Sequence, residues 1–114
     1  MATKRERLWE LIEEGTVDCY DEEEQHSGML TMIEDNVVCP FRARVIGEEV
    51  TVVELAWPKS GYGLLAVCER GGQQHRVDIA SLEFSAPYPD GYEYIEAYLL
   101  WRGNLTEDDL DEEE

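Results

Sequence analysis

Apolar residues along this chain recur at helical spacing, then in alternation, then at helical spacing again. Between Thr3 and Glu14, Leu8, Leu11 and Ile12 share one stripe with Trp9 at its edge, the period of an amphipathic helix. Thr3 stands three residues before Glu6, the capping-box spacing, so Thr3 is the predicted cap and Gly15 the predicted stop. A second helix is predicted from Thr16 or Val17 to Asp35. Met29, Met32, Ile33 and Val37 keep helical spacing there and no proline interrupts them. Its first turns are crowded with acids, which the positive end of a helix dipole favours.

After Cys39-Pro40 the period changes to two. Phe41, Ala43 and Val45 alternate with Arg42 and Arg44, Gly47-Glu48 turns the chain, and Val50, Val52 and Leu55 continue the pattern. Pro58 to Gly63 reads as a loop. Leu64 to Glu69 and His75 to Ile79 read as strands around a Gly71-Gly72 hairpin. Pro87 and Pro89 break the chain, and a final helix follows with Asp90 as its cap and Ile95, Tyr98, Leu99 and Trp101 on its apolar face. The expected fold class is α+β: two N-terminal helices, a small antiparallel SH3-like β-barrel and a C-terminal helix. Residues 1–103 are expected to form one domain and 104–114 a disordered acidic tail.

Charge narrows the function. The chain has 114 residues, with 27 Asp plus Glu against 9 Lys plus Arg, a formal charge of -18. Asn104 to Glu114 holds 7 of those acids and no base, so its repulsion opposes folding. The body remains acidic without it. Binding to nucleic acid needs positive charge against phosphate, so no nucleic acid partner is expected, and no membrane partner for the same reason. The N-terminal run MATKRERLWELIEEG lacks the continuous apolar core of a signal peptide. The three cysteines, Cys19, Cys39 and Cys68, read as reduced thiols, and the expected compartment is cytoplasmic.

Sites that need thiols or imidazoles find little support. The cysteines stand far apart without a Cys-x-x-Cys pair, which argues against zinc, although Cys19 with His26 could make half a site. Cys68 and His75 could face each other across the hairpin, but no third group orients them. Nucleotide loops and nucleophile elbows are absent from the sequence, so no catalytic role is expected. Carboxylates are plentiful. Asp18 cannot open an EF-hand, because Tyr20 occupies the third loop position, and Asp108-Asp109-x-Asp111 lacks the glycine. On a helix, however, Asp18, Asp21 and Glu22 at i, i+3 and i+4 would project from one face. Three like charges so close favour a divalent cation that neutralises them. The same residues could equally be a solvated acidic first turn.

The strings VDCYDEEEQHSGM, TMIEDNVVCPFRARV, GEEVTVVELA and YEYIEAYLLW together resemble the bacterial CcbP-type calcium-binding protein family, from about Val17 to Trp101. The specific parts are the DxYDEEE run and the CPFRAR junction. This resemblance implies a small acidic protein that binds Ca²⁺ without EF-hands and buffers or senses intracellular calcium. Carried over by position, it implies Asp18, Asp21, Glu22, Glu34 and Asp35 as metal ligands. Glu34 and Asp35 would act beside the free carbonyls of a helix end. The rival reading is an acidic interaction module, such as a DNA-mimicking inhibitor, that binds a basic protein partner.

Overall fold

The computed structural model describes residues 3–58 and 63–103. Its elements in chain order are α1 (Lys4–Thr16), α2 (Glu22–Asn36), β1 (Phe41–Val45), β2 (Glu48–Ala56), β3 (Leu65–Arg70), β4 (Gln73–Asp78), a 3-10 turn (Ile79–Ser81) and α3 (Tyr92–Arg102). The class is α+β. The three helices form one compact unit and the four strands another.

In the helical unit, α1 begins where its sequence predicts. The Thr3 hydroxyl accepts the Glu6 N–H at 3.1 Å, and Leu8, Leu11 and Ile12 are buried. The helix does not stop at Gly15. It continues to Thr16, whose hydroxyl donates to the Ile12 carbonyl at 2.7 Å. Gly15 serves a different purpose: a Cβ there would meet the Met29 sulfur at 2.7 Å. A Cβ on Gly28 would fall on the Gly15 carbonyl oxygen. This pair of glycines lets α1 and α2 cross with their backbones nearly touching. The α2 core positions are Met29, Leu30 and Ile33, with His26 buried beside them.

Gly91 rather than Asp90 occupies the cap position of α3. Its φ of 84° suits glycine, and no side chain caps the helix there. Ion pairs join α1 to α3: Lys4 Nζ lies 2.7 Å from the buried Glu96 carboxylate, and Arg7 Nη2 lies 3.1 Å from Glu93. Burying Glu96 is tolerable because the ammonium compensates its charge.

The strands form an antiparallel sheet in the order β1-β2-β3-β4. Phe41, Val52 and Cys68 lie opposite one another across three strands, and all three are buried. Val52 and Leu55 are three residues apart, a spacing that breaks two-residue alternation. A register shift between Val52 and Glu54 restores it: beyond that β-bulge Leu55 opposes Ala66, on the face that Cys68 also occupies. The β1–β2 connection turns at Ile46 and Gly47, with φ of 50° and 74°. That is one residue earlier than the sequence predicts, because a two-residue turn needs positive φ at both positions.

The expected SH3-like barrel does not form. The sheet is open among the described residues, with β4 at one edge. At the other edge Arg44 and Glu83 exchange backbone hydrogen bonds of 3.0 and 2.8 Å. Closure of so few strands requires a strand tilt and stagger that hydrophobic spacing does not encode. The acidic tail, 104–114, lies outside the described residues.

Candidate metal centre

The connector between α1 and α2 carries the densest acidic run, and its geometry differs from the predicted helix. Asp18 adopts a left-handed backbone with φ of 61°, which interrupts helical propagation between Thr16 and α2. Asp21 is the N-cap of α2: its Oδ1 accepts the Glu24 N–H at 2.8 Å. Glu24 reaches back in turn, and its Oε2 accepts the Tyr20 N–H at 3.0 Å. The pattern Asp21-x-x-Glu24 is a capping-box spacing. It is the signal in the sequence that places the helix start at Glu22 and not at Thr16 or Val17. The helical face expected of Asp18, Asp21 and Glu22 therefore does not exist. The three stand within five residues of each other around a helix start, all exposed.

Glu34 and Asp35 occupy the last turn of the same helix, and both are exposed. Twelve residues separate Glu22 from Glu34. At a rise of about 1.5 Å per residue this is about 18 Å of helix. No single ion spans that distance, so the five acids divide into a group of three at one end of α2 and a pair at the other. Carbonyls beside the pair are already engaged: Ile33 accepts the Val37 N–H at 2.8 Å, and Met32 accepts the Asn36 side-chain amide at 2.8 Å. Among the described residues, no three His, Cys, Asp or Glu side chains are gathered closely enough to enclose an ion.

A surface groove lies at the N-terminal end of α2, lined by Tyr20, Asp21, Glu22 and Gln25 together with Trp101 and Arg102 of α3. It brings two carboxylates, an amide and a phenol to one wall, and an aromatic ring and a guanidinium to the other. Tyr20 is 90 % exposed, an unusual position for an aromatic side chain that a core would accept. Gln25 and Arg102 do not emerge from sequence reasoning as site residues, and Trp101 reads there first as packing of the C-terminal helix and only second as part of an aromatic groove. Gln25 follows Asp21 by one turn of α2, and only the packing of α3 against α2 brings Trp101 and Arg102 to the acids.

Among the described residues no thiol or imidazole lines this groove, although the His26 ring packs behind Trp101. Cys19 Sγ donates to the carbonyls of Glu24 at 3.4 Å and Val17 at 3.6 Å, while His26 Nε2 lies 3.2 Å from the Tyr98 hydroxyl. Cys68 and His75 are opposite partners in the β3–β4 ladder. Cys68 is buried, however, its thiol donates to the Ala66 carbonyl at 3.7 Å, and burial pushes its pKa up. A thiol held in this way is a poor nucleophile. Burial likewise raises Cys39, with Glu54 adding to the effect. Two strand arginines pair across the sheet, Arg42 with Glu49 at 2.8 Å and Arg70 with Glu48 at 2.7 Å.

No helix among the described residues is long and apolar enough to cross a membrane. Comparison with known proteins finds no match among the curated proteins and none among solved structures. A family model described as calcium binding does match, over residues 10–102. That span takes in α2 and both groups of acids at its ends, together with the whole sheet and α3. The chain belongs to the CcbP-type calcium-binding family.

Proposed function

We propose that this protein binds Ca²⁺ reversibly at the groove beside the start of α2, with Asp18, Asp21 and Glu22 as its principal carboxylates. Glu34 and Asp35 make a second, weaker position. Family membership supports the ion, and the convergence of Asp21, Glu22, Gln25 and Tyr20 on one groove wall supports the place. The donors are hard oxygens throughout, the kind that calcium takes in sixes to eights at irregular angles. Exposed side chains on a short connector can regroup around such an ion. Magnesium, which requires a tight octahedron and retains its waters, gains less from them. A helix N-terminus opposes a cation with roughly half an elementary charge. Arg102 on the facing wall adds to that opposition; the formal charges of Asp21 and Glu22 on the groove, with Asp18 on the connector beside them, act against both.

In the cytoplasm, a protein with these properties would act as a calcium buffer or sensor. Its formal charge of -18 raises the local concentration of cations, and the grouped acids supply selectivity. The ligands must be ionised, so affinity falls as pH drops toward the carboxylate range.

Calorimetric titration with Ca²⁺ over a background of millimolar Mg²⁺ tests this reading. The informative variants are a triple Asp18→Asn/Asp21→Asn/Glu22→Gln and a double Glu34→Gln/Asp35→Asn. Asparagine caps a helix about as well as aspartate, so the triple variant keeps the start of α2. We expect it to lose at least tenfold in affinity, and the double to lose only a weaker event. Unchanged affinity in the triple variant would remove those residues from the site. If the wild-type chain shows no discrete calcium event, the acidic surface is better read as a contact for a basic protein partner.

A further inference from the structure

The β1 edge of the sheet is closed over only part of its length. Arg44 and Glu83 exchange backbone hydrogen bonds of 3.0 and 2.8 Å in an isolated bridge. Peptide groups along an antiparallel strand point alternately to one neighbour and to the other, so Arg42, like Arg44, directs its N–H and C=O away from β2. A continued ladder would place Ser85 opposite Arg42, yet no backbone hydrogen bond joins the two among the described residues. The chain runs on instead through Pro87 and Pro89, which have no N–H to offer. A groove lies along this open stretch, lined by Phe41, Arg42 and Arg44 from the strand and by Pro87, Tyr88 and Pro89 from the segment that follows the bridge.

This groove is cationic in a chain that is otherwise acidic. Glu49, which also lines it, holds Arg42 at 2.8 Å. Arg44 is exposed and makes no ion pair among the described residues. Residues 38–90, which form the sheet unit, hold 7 acids and 5 bases, whereas the remaining residues hold 20 acids and 4 bases. Charges more than about 8 Å away are largely screened at physiological ionic strength, so the two arginines and Glu49 set the field in the groove.

We propose that the groove docks an extended acidic segment of a partner protein, which adds beside β1 as a short further strand. The N–H and C=O of Arg42 supply main-chain hydrogen bonds, and the side chains of the added strand supply specificity. Alternate residues of a strand fall on opposite faces. On the face that carries Arg42 and Arg44 the segment places carboxylates, to which a guanidinium donates two parallel hydrogen bonds. Between them it places apolar side chains, against the prolines and the 53 % exposed Tyr88. A basic segment would be repelled by Arg44, although the rest of the chain attracts it. The groove belongs to the sheet unit and the proposed calcium position to the helical unit, so neither reading rests on the other.

The probe is the capped peptide (Glu-Val)3, with (Lys-Val)3 as its counterpart, each titrated into the isotope-labelled full chain and followed by NMR. With (Glu-Val)3 the amide signals of Arg42, Arg44, Ser85, Ala86 and Tyr88 should move together and saturate in the millimolar range or below. (Lys-Val)3 should leave those signals in place. Arg44→Glu should weaken binding of (Glu-Val)3 at least tenfold, and Arg44→Gln, which removes the charge without reversing it, should weaken it less. Arg76→Glu, on the exposed strand β4 and outside the groove, should leave binding unchanged. No saturable movement at these amides would overturn the proposal, as would equal binding of the two peptides or parent-like affinity in both Arg44 variants. Movement of the same signals when the protein alone is concentrated would assign the groove to a second copy of this chain, and would overturn it too.

Discussion

At the scale of single residues, two backbone positions with φ above zero lie at opposite ends of utility. Asp18 at 61° is a residue type that tolerates the left-handed region, and its conformation separates α1 from α2. Ile46 at 50° is a β-branched residue in the same region, and it is 90 % exposed. It therefore gains no burial to offset a steric penalty of about 1–2 kcal/mol. Asn-Gly is the favoured pair for this two-residue turn, and Gly47 already supplies its second half. Replacing Ile46→Asn should raise stability by about 0.5–1 kcal/mol, read as a higher urea midpoint with unchanged slope. A drop in stability would mean that the isoleucine makes contacts its exposure conceals.

At the scale of elements, the crossing of α1 and α2 depends on two hydrogen atoms. The Gly28 Cα approaches the Gly15 carbonyl so closely that a methyl group has no room, and the obstacle is backbone, which cannot rotate aside. Alanine favours a helix over glycine by about 1 kcal/mol, so propensity alone predicts stabilisation. Overpacking of about 1–3 kcal/mol acts in the opposite direction. Gly28→Ala should therefore destabilise the protein by about 1–2 kcal/mol in chemical denaturation, with less effect from Gly15→Ala. The nearest side-chain atoms around Gly15 belong to Met29 and Met32, which can move. A neutral or stabilising Gly28→Ala would show that the helices separate without loss.

The same element explains what the sequence could and could not reveal. The cap at Thr3, the stripe of Leu8, Leu11 and Ile12, and the alternation in β1 were legible, because each depends on local chemistry. Gly15 was misleading: a glycine near the end of a helical stripe looks like a stop whether its purpose is a turn or a close crossing. The start of α2 was obscured because five acids lie between Asp18 and Glu24, and composition alone does not say which one caps. The Asp21-x-x-Glu24 spacing carried that answer. The break in parity between Val52 and Leu55 carried the bulge. By contrast, Trp101 and Arg102 meet Asp21 and Glu22 only through tertiary packing, which no local pattern records, whereas Gln25 lies one turn along α2 from Asp21.

At the scale of the whole molecule, charge governs both stability and selectivity, and the two effects can be separated. A formal charge of -18 repels itself in the folded state, and simple salt relieves that repulsion. Raising ionic strength from 0.01 M to 0.15 M shortens the screening length from about 30 Å to about 8 Å. Thermal stability should therefore rise with NaCl alone. A specific site adds a second contribution, because ligand bound only to the native state stabilises it by about 2.7 kcal/mol at a hundredfold excess over Kd. At matched ionic strength the melting temperature should then be highest in CaCl2, lower in MgCl2 and lowest in NaCl. Shortening the chain by residues 104–114 removes 7 acids and should reduce the response to NaCl. It should leave the difference between calcium and magnesium, since the proposed ligands all lie on or beside α2. Equal melting temperatures in the two divalent salts would mean that the acids act as a diffuse field, and that grouping them at the ends of one helix confers no preference among ions.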